Sequence, residues 1–221
     1  MRIDPPYPSP TSESMPEALC ASLRAAGITL DEAAAERLGG YVAAVKGWNP
    51  IGSLVSEPAL QRLWEDHVAD SLALLPVVAD SVDAGAVWWD LGSGGGFPAF
   101  PIKSVRPDLP LTCWERSEKK SGILRQMAAD CRLCDVTVHA EQFSHRLAHP
   151  EGRLVITARA VEKPERLHPS IARFMRTGDV FLCQHLAAPQ AFPAGVFHVE
   201  HCPDPGGGLR RGVLHRVERW A

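Results

Sequence analysis

The stretch "VWWDLGSGGGFPAFP", residues 87–101, constrains this chain more than any other. An apolar run suited to a buried strand ends in an acid, Asp90. Gly92, Gly94 and Gly96 follow at every second position, with prolines close behind. Glycine permits a sharp reversal and lets the backbone lie against a ligand where a Cβ would intrude. A strand that runs through such a turn into a helix is where doubly wound α/β sheets hold nucleotide-like ligands. The spacing is G-x-G-x-G, whereas the dinucleotide fingerprint needs a glycine at position 97, which is Phe97. No Gly-Lys-Ser/Thr follows, so a P-loop is excluded.

Two regions lie on either side of this boundary. Residues 1–14 are rich in proline and serine and read as a disordered lead-in. Residues 15–84 read as helical: Leu19, Leu23 and Ala26 recur at helical spacing, Gly27 stops that run, and Asp31 is placed to cap a second helix from Leu30 to Val45. "WNPIGSLVSEP" then predicts a turn-rich interruption. Pro58 suits a first helical turn, and "ALQRLWEDHVADSLALLPVV" one helix or two in tandem.

From residue 85 to 221 strands alternate with helices. "VWWDL", "LTCWE", "DVTVHA", "RLVITARAV" and "VFLCQH" are strand-like, with helices over Phe97–Val105, Glu118–Cys131 and "PERLHPSIARFM". The runs "GVFHVEH" and "GVLHRVERW", split by "CPDPGGGLRR", read as a terminal hairpin. The expected fold is α/β: a mostly parallel Rossmann-like sheet with a C-terminal antiparallel hairpin and an N-terminal helical extension.

The 221 residues are 45% hydrophobic, enough for a sizeable core, and the formal net charge of -3 gives no global basic field. Any binding to RNA therefore needs a local patch of cations. No apolar run approaches the ~20 residues of a membrane span, and "MRIDPPYPSPTSES" has no apolar signal-peptide segment, so a cytoplasmic protein is expected. Cys131 and Cys134 form one C-x-x-C without a second pair at zinc spacing. Cys183 with His185, and His201 with Cys202, are the nearest candidates; free thiols and no metal are expected.

Glu115 ends the second strand, where a carboxylate can accept both hydroxyls of a ribose. D-x-G-x-G-x-G with an acidic end to the next strand resembles the S-adenosylmethionine-dependent methyltransferases. More narrowly, "HVADSLALLP", "DLGSGGGFPAFPIKSVRPDL", "SEKKSGILRQ" and "ITARAV" together resemble the small-subunit (16S) ribosomal RNA guanine-N7 methyltransferase family, RsmG or GidB, from about Trp48 to about Val161.

That resemblance implies a class I methyltransferase sheet and S-adenosylmethionine as cofactor. It implies that Gly92, Gly94, Gly96 and Phe97 hold the methionine and ribose side, that Glu115 binds the ribose hydroxyls, and that Ala140 and Glu141 bracket the adenine. Arg159 of "TARA" is the implied catalytic residue, closing the site beside the transferable methyl. His67 and Asp70 match the family's helix facing the pocket. The chain departs from the family at Asp66, where arginine is usual, at "NPI" from Asn49 to Ile51, and at Gln184, where lysine is usual. All three fall on surfaces that could touch substrate.

The implied partner is small-subunit ribosomal RNA or its ribonucleoprotein, with a monomer expected. Guanine N7 carries an exposed in-plane lone pair and loses no proton before attack, so no general base is required. Among Arg2, Lys103, Arg106, Lys119, Lys120, Arg125, Arg210 and Arg211, the pair Arg210 and Arg211 on the glycine-rich loop is the expected phosphate contact. Two other readings fit the same residues: a methyltransferase of a small molecule or of another RNA, and a cofactor-binding interaction protein that does not methylate.

Overall fold

A computed structural model describes residues 12–82, 85–159, 164–184, 191–210 and 212–221. Five helices come first: α1 (Glu17–Ala25), α2 (Glu32–Gly52), α3 (Glu57–Leu60), α4 (Ala69–Leu72) and α5 (Leu75–Ser81). Asp31 caps α2 as expected, its carboxylate accepting from the Ala34 N–H at 2.6 Å. The helix does not stop at Trp48. It runs through Pro50 and ends where Ser53 turns left-handed at φ 47°. Proline deletes one backbone donor, a small loss in a last turn, and Trp48 and Gly52 stay buried in the core by continuing.

The expected helix beyond Pro58 is broken up. Pro58 does start α3, but Leu63–Val68 winds as a π-helix before α4 resumes. Pro76 then opens α5.

Seven strands form one sheet: β1 (Val87–Leu91), β2 (Leu111–Trp114), β3 (Val136–His139), β4 (Leu154–Arg159), β5 (Val180–Gln184), β6 (Phe197–Cys202) and β7 (Leu214–Arg219). The order is β3-β2-β1-β4-β5-β7-β6. The first five are parallel and the β6–β7 hairpin is antiparallel, as the sequence predicts. Helices α6 (Ala99–Val105), α7 (Glu118–Asp130) and α8 (Pro164–Phe174) complete the crossovers.

Chain order reverses between β1 and β4, which opens a crevice above their carboxyl ends. Each face of the sheet carries its own apolar cluster. The N-terminal helices share theirs with α6 and α7, through residues such as Tyr41, Trp88, Phe100 and Leu124. Helix α8 covers the other, around Trp89, Phe174 and Phe181. Among the described residues, no helix is long and apolar enough to cross a membrane.

Candidate active site

The glycine loop turns between β1 and α6 because Gly92, Gly94 and Gly96 all take positive φ, at 71°, 52° and 95°. The alternate glycines are thus alternate left-handed residues, a conformation costly for any side chain with a Cβ. The loop is tied down on several sides. Gly94 N–H donates to Glu115 Oε2 at 2.9 Å, Tyr41 Oη donates to the Gly95 carbonyl at 2.8 Å, and Ser93 Oγ donates to the Asp90 carbonyl.

Gly94 and Gly96 do different work. A Cβ on Gly96 would lie 3.0 Å from Phe100 Cγ and 3.2 Å from Tyr41 Oη, so this position serves packing. A Cβ on Gly94 would meet nothing nearer than the Gly92 carbonyl at 3.7 Å. Its emptiness faces the crevice.

That crevice is a cavity of about 710 Å³, within the usual range of small-molecule sites. It is lined by Leu91 to Gly95 and Phe97 of the glycine turn, by Trp114, Glu115 and Ser117 at and after the end of β2, and by Phe143, Leu167 and Ser170. Glu115 is buried and accepts one backbone donor on each oxygen, from Gly94 and from Ser117 at 2.8 Å. Each oxygen keeps a second lone pair, enough for a pair of hydroxyls. Ala140 and Glu141 are exposed beyond β3 and do not line the cavity, whereas Gln142 and Phe143 do.

Under the loop, Trp88 Nε1 donates to Thr157 Oγ1 at 3.0 Å, and Thr157 donates to Asp90 Oδ1 at 2.6 Å. All three side chains are buried. Loss of solvent pushes the Asp90 carboxyl up to about 6, against the opposing Thr157 hydrogen bond. The chain locks β1 to β4 beneath the crevice.

Arg159, at the end of β4, reaches across to the π-helical segment and α4. Nη1 donates to Asp70 Oδ2 at 3.0 Å, and Nη2 donates to His67 Nδ1 at 2.6 Å. A guanidinium only donates, so Nδ1 is the unprotonated ring nitrogen. The guanidinium carbon stands 5.0 Å over the Phe97 ring, and His67 packs on the same ring at 4.9 Å. Gln184 joins the group, its amide donating to Asp70 Oδ2 at 3.2 Å. Asp66, a further departure from the family pattern, accepts from Arg62 one turn earlier.

The expected phosphate contact is redirected. Arg210 donates from Nη1 to the Cys202 carbonyl and from Nη2 to the Ala73 carbonyl, and burial lowers its pKa. Its donors fasten the hairpin loop to the helical region, and a Cβ on Gly207 would press into the Ser22 carbonyl. None of these residues lines the cavity. Arg211 lies outside the described residues.

Of the other cations, Lys103 is buried on the Pro107 and Leu109 carbonyls and Arg106 pairs with Asp108. Arg125 donates to Val138 O and Lys119 to Ile51 O. Lys120 does line the cavity, with Arg116, Arg159 and Arg166. Nothing in the local sequence pattern marks Arg116 or Arg166 as lining a site. Cys131 is buried with its thiol pushed up to about 12, and Cys134 is exposed. No cluster of three or more metal-ligating side chains occurs among the described residues.

A parallel sheet with its crevice at the switch point, a glycine floor and a carboxylate at the next strand end defines a Rossmann-like methyltransferase fold. Solved structures carry the same fold: MtNAS in complex with S-adenosylmethionine, as a mutant, superposes with a TM-score of 0.55 over 90% of this chain and 88% of that one at 14% identity. An S-adenosylmethionine-dependent O-methyltransferase from Thermotoga maritima gives 0.50 over 69% and 65%, also at 14% identity.

Sequence comparison narrows the class. The family model GidB, described as rRNA small subunit methyltransferase G, matches residues 34–188, and the chain belongs to that family. A ribosomal RNA small subunit methyltransferase G from Sorangium cellulosum is 38% identical over 80% of this chain and 74% of its own length. Its namesake from Leptothrix cholodnii is 29% identical over 90% and 93%.

Proposed function

We propose that this chain transfers a methyl group from S-adenosylmethionine to N7 of a guanine in small-subunit (16S) ribosomal RNA. Besides family membership, one observation carries the reading. Among the described residues, Arg116, Lys120, Arg159 and Arg166 line the cavity, and Glu115 is the only carboxylate that does. The cofactor is a cation overall, with a sulfonium and an ammonium against one carboxylate. A cation-rich wall is therefore ill-suited to the cofactor alone. The excess suits an anionic second substrate, which favours a nucleic acid over a neutral small molecule.

The residues fit the cofactor. The bare face of Gly94 leaves room for it against the loop, and the spare lone pairs of Glu115 suit ribose hydroxyls. In this reading Gly92, Gly94 and Phe97 hold the methionine and ribose side, and Gly96 supports them by packing. Gln142 and Phe143 take the adenine side, with Ala140 and Glu141 at the rim.

When bound, the cofactor supplies an electrophilic methyl group. N7 presents its lone pair without first losing a proton, so the chain's task is position and field. Arg159, oriented by Asp70 and His67 and stacked over Phe97, fixes the target base beside the methyl. The purified protein should form 7-methylguanine in small-subunit RNA taken from cells that lack it. Unmodified RNA, both naked and in subunits, alongside methylation of a metabolite would reject the proposal.

A further inference from the structure

Four cations among the described residues line the cavity, and two of them have other work. Arg159 is paired with Asp70 and His67, and Arg116 stands beside Glu115 with an interaction of its own. Lys120 and Arg166 are different: the side chain of neither makes a hydrogen bond or ion pair with any described residue. Arg166 is exposed and Lys120 half-buried.

Lys120 stands in the first turn of α7 and Arg166 in the first turn of α8. Helix α7 packs on one face of the sheet through Ile123 and Leu124, and α8 on the other through Ile171 and Phe174. The two side chains thus come to one cavity from opposite faces of the sheet.

We infer that Lys120 and Arg166 hold the phosphates on either side of the target nucleotide, so that an unpaired RNA strand crosses the cavity mouth with its base turned inward. The inference rests on the proposed RNA substrate. A backbone held on both sides is what a base in a pocket requires, because phosphate contacts fix register while the pocket reads the base. Cations without a partner among the described residues keep their charge available for that contact. The strand is placed here rather than on the hairpin loop, where Arg210 is spent on carbonyls.

The test uses the full chain, with Lys120→Ala, Arg166→Ala and the double variant, on unmethylated small-subunit RNA over a range of salt. Each single change should raise the RNA KM about three- to tenfold and reduce the slope of log affinity against log salt by about 0.7 for a single-stranded contact. The kcat at saturating RNA and the calorimetric affinity for S-adenosylmethionine should stay within about twofold. Lys120→Arg and Arg166→Lys should restore the slope. Arg106→Ala, which removes a cation paired with Asp108, should leave it unchanged.

If the parent methylates the RNA while the double variant keeps its KM and slope, the inference is wrong and the proposed function stands. Cofactor affinity that falls along with RNA affinity also overturns it, since the two cations would then serve the cofactor. If the parent makes no 7-methylguanine in this RNA, the proposed function itself fails.

Discussion

Arg159 and Asp70 meet at 3.0 Å across the crevice, their side chains only 12% and 9% exposed. The pair joins the end of β4 to the start of α4, at the mouth of the crevice between the sheet and the helical extension. A buried pair can be little better than two apolar residues, yet removing one partner strands the other's charge.

Asp70→Ala should therefore cost about 3–5 kcal/mol of stability, and roughly 10 °C in melting temperature for a chain of this size. It should lower methyl transfer more than cofactor affinity, because Arg159 loses its orientation while Glu115 and the glycine loop keep theirs. Thermal denaturation and single-turnover kinetics measure both. A variant that melts like the parent would show that His67 suffices to hold the arginine.

Asp90 predicts a pH dependence of opposite sign to that of a salt-bridged acid. Its carboxyl is pushed by burial from 3.8 up to about 6, so between those values the folded chain holds a proton that the unfolded chain has lost. Stability from this group is present below about pH 4 and is lost as pH rises toward 6. At about 1.4 kcal/mol per unit the cost at neutral pH is at most about 3 kcal/mol. Asp90→Asn removes the titration and keeps an oxygen to accept from Thr157. The melting temperature of the variant minus that of the parent should rise from pH 4 to pH 6.5 and then level off. A difference that is flat across that range would refute the assignment.

The sequence disclosed the parts whose pattern is local. Strand β1 follows from its apolar run, the sharp turn from the glycines, Glu115 from its place at a strand end, and the Asp31 cap from the residue type before an apolar period. The opposite wall was less legible. A 3.6-residue period cannot report that Leu63–Val68 winds as a π-helix, which sets the direction in which His67 leads into α4. Beyond β3, the choice between Ala140–Glu141 and Gln142–Phe143 depends on how an irregular loop folds back over the cavity.

Cations mislead for another reason. Composition reveals the charge of Arg210 and Lys103 but not that backbone carbonyls absorb their donors. Arg166, set in an unremarkable helix, becomes interesting only once α8 is seen at the cavity.

Gly94 and Gly96, two residues apart and both left-handed, should respond oppositely to alanine. At Gly96 the methyl group would press on Phe100 and Tyr41 in a buried site at φ 95°. Strain and overpacking together should cost roughly 2–5 kcal/mol, while cofactor affinity of the molecules that remain folded changes little. At Gly94 the φ of 52° lies in the small left-handed region that alanine tolerates at about 1–2 kcal/mol, and the protein offers the methyl open space. Stability should then fall only modestly. If the cofactor lies against this loop, however, the methyl occupies its place, and affinity should drop at least about tenfold, or about 1.4 kcal/mol. Melting curves and calorimetry on the two variants separate the roles. Parent-like cofactor binding by Gly94→Ala would remove the cofactor from the loop altogether.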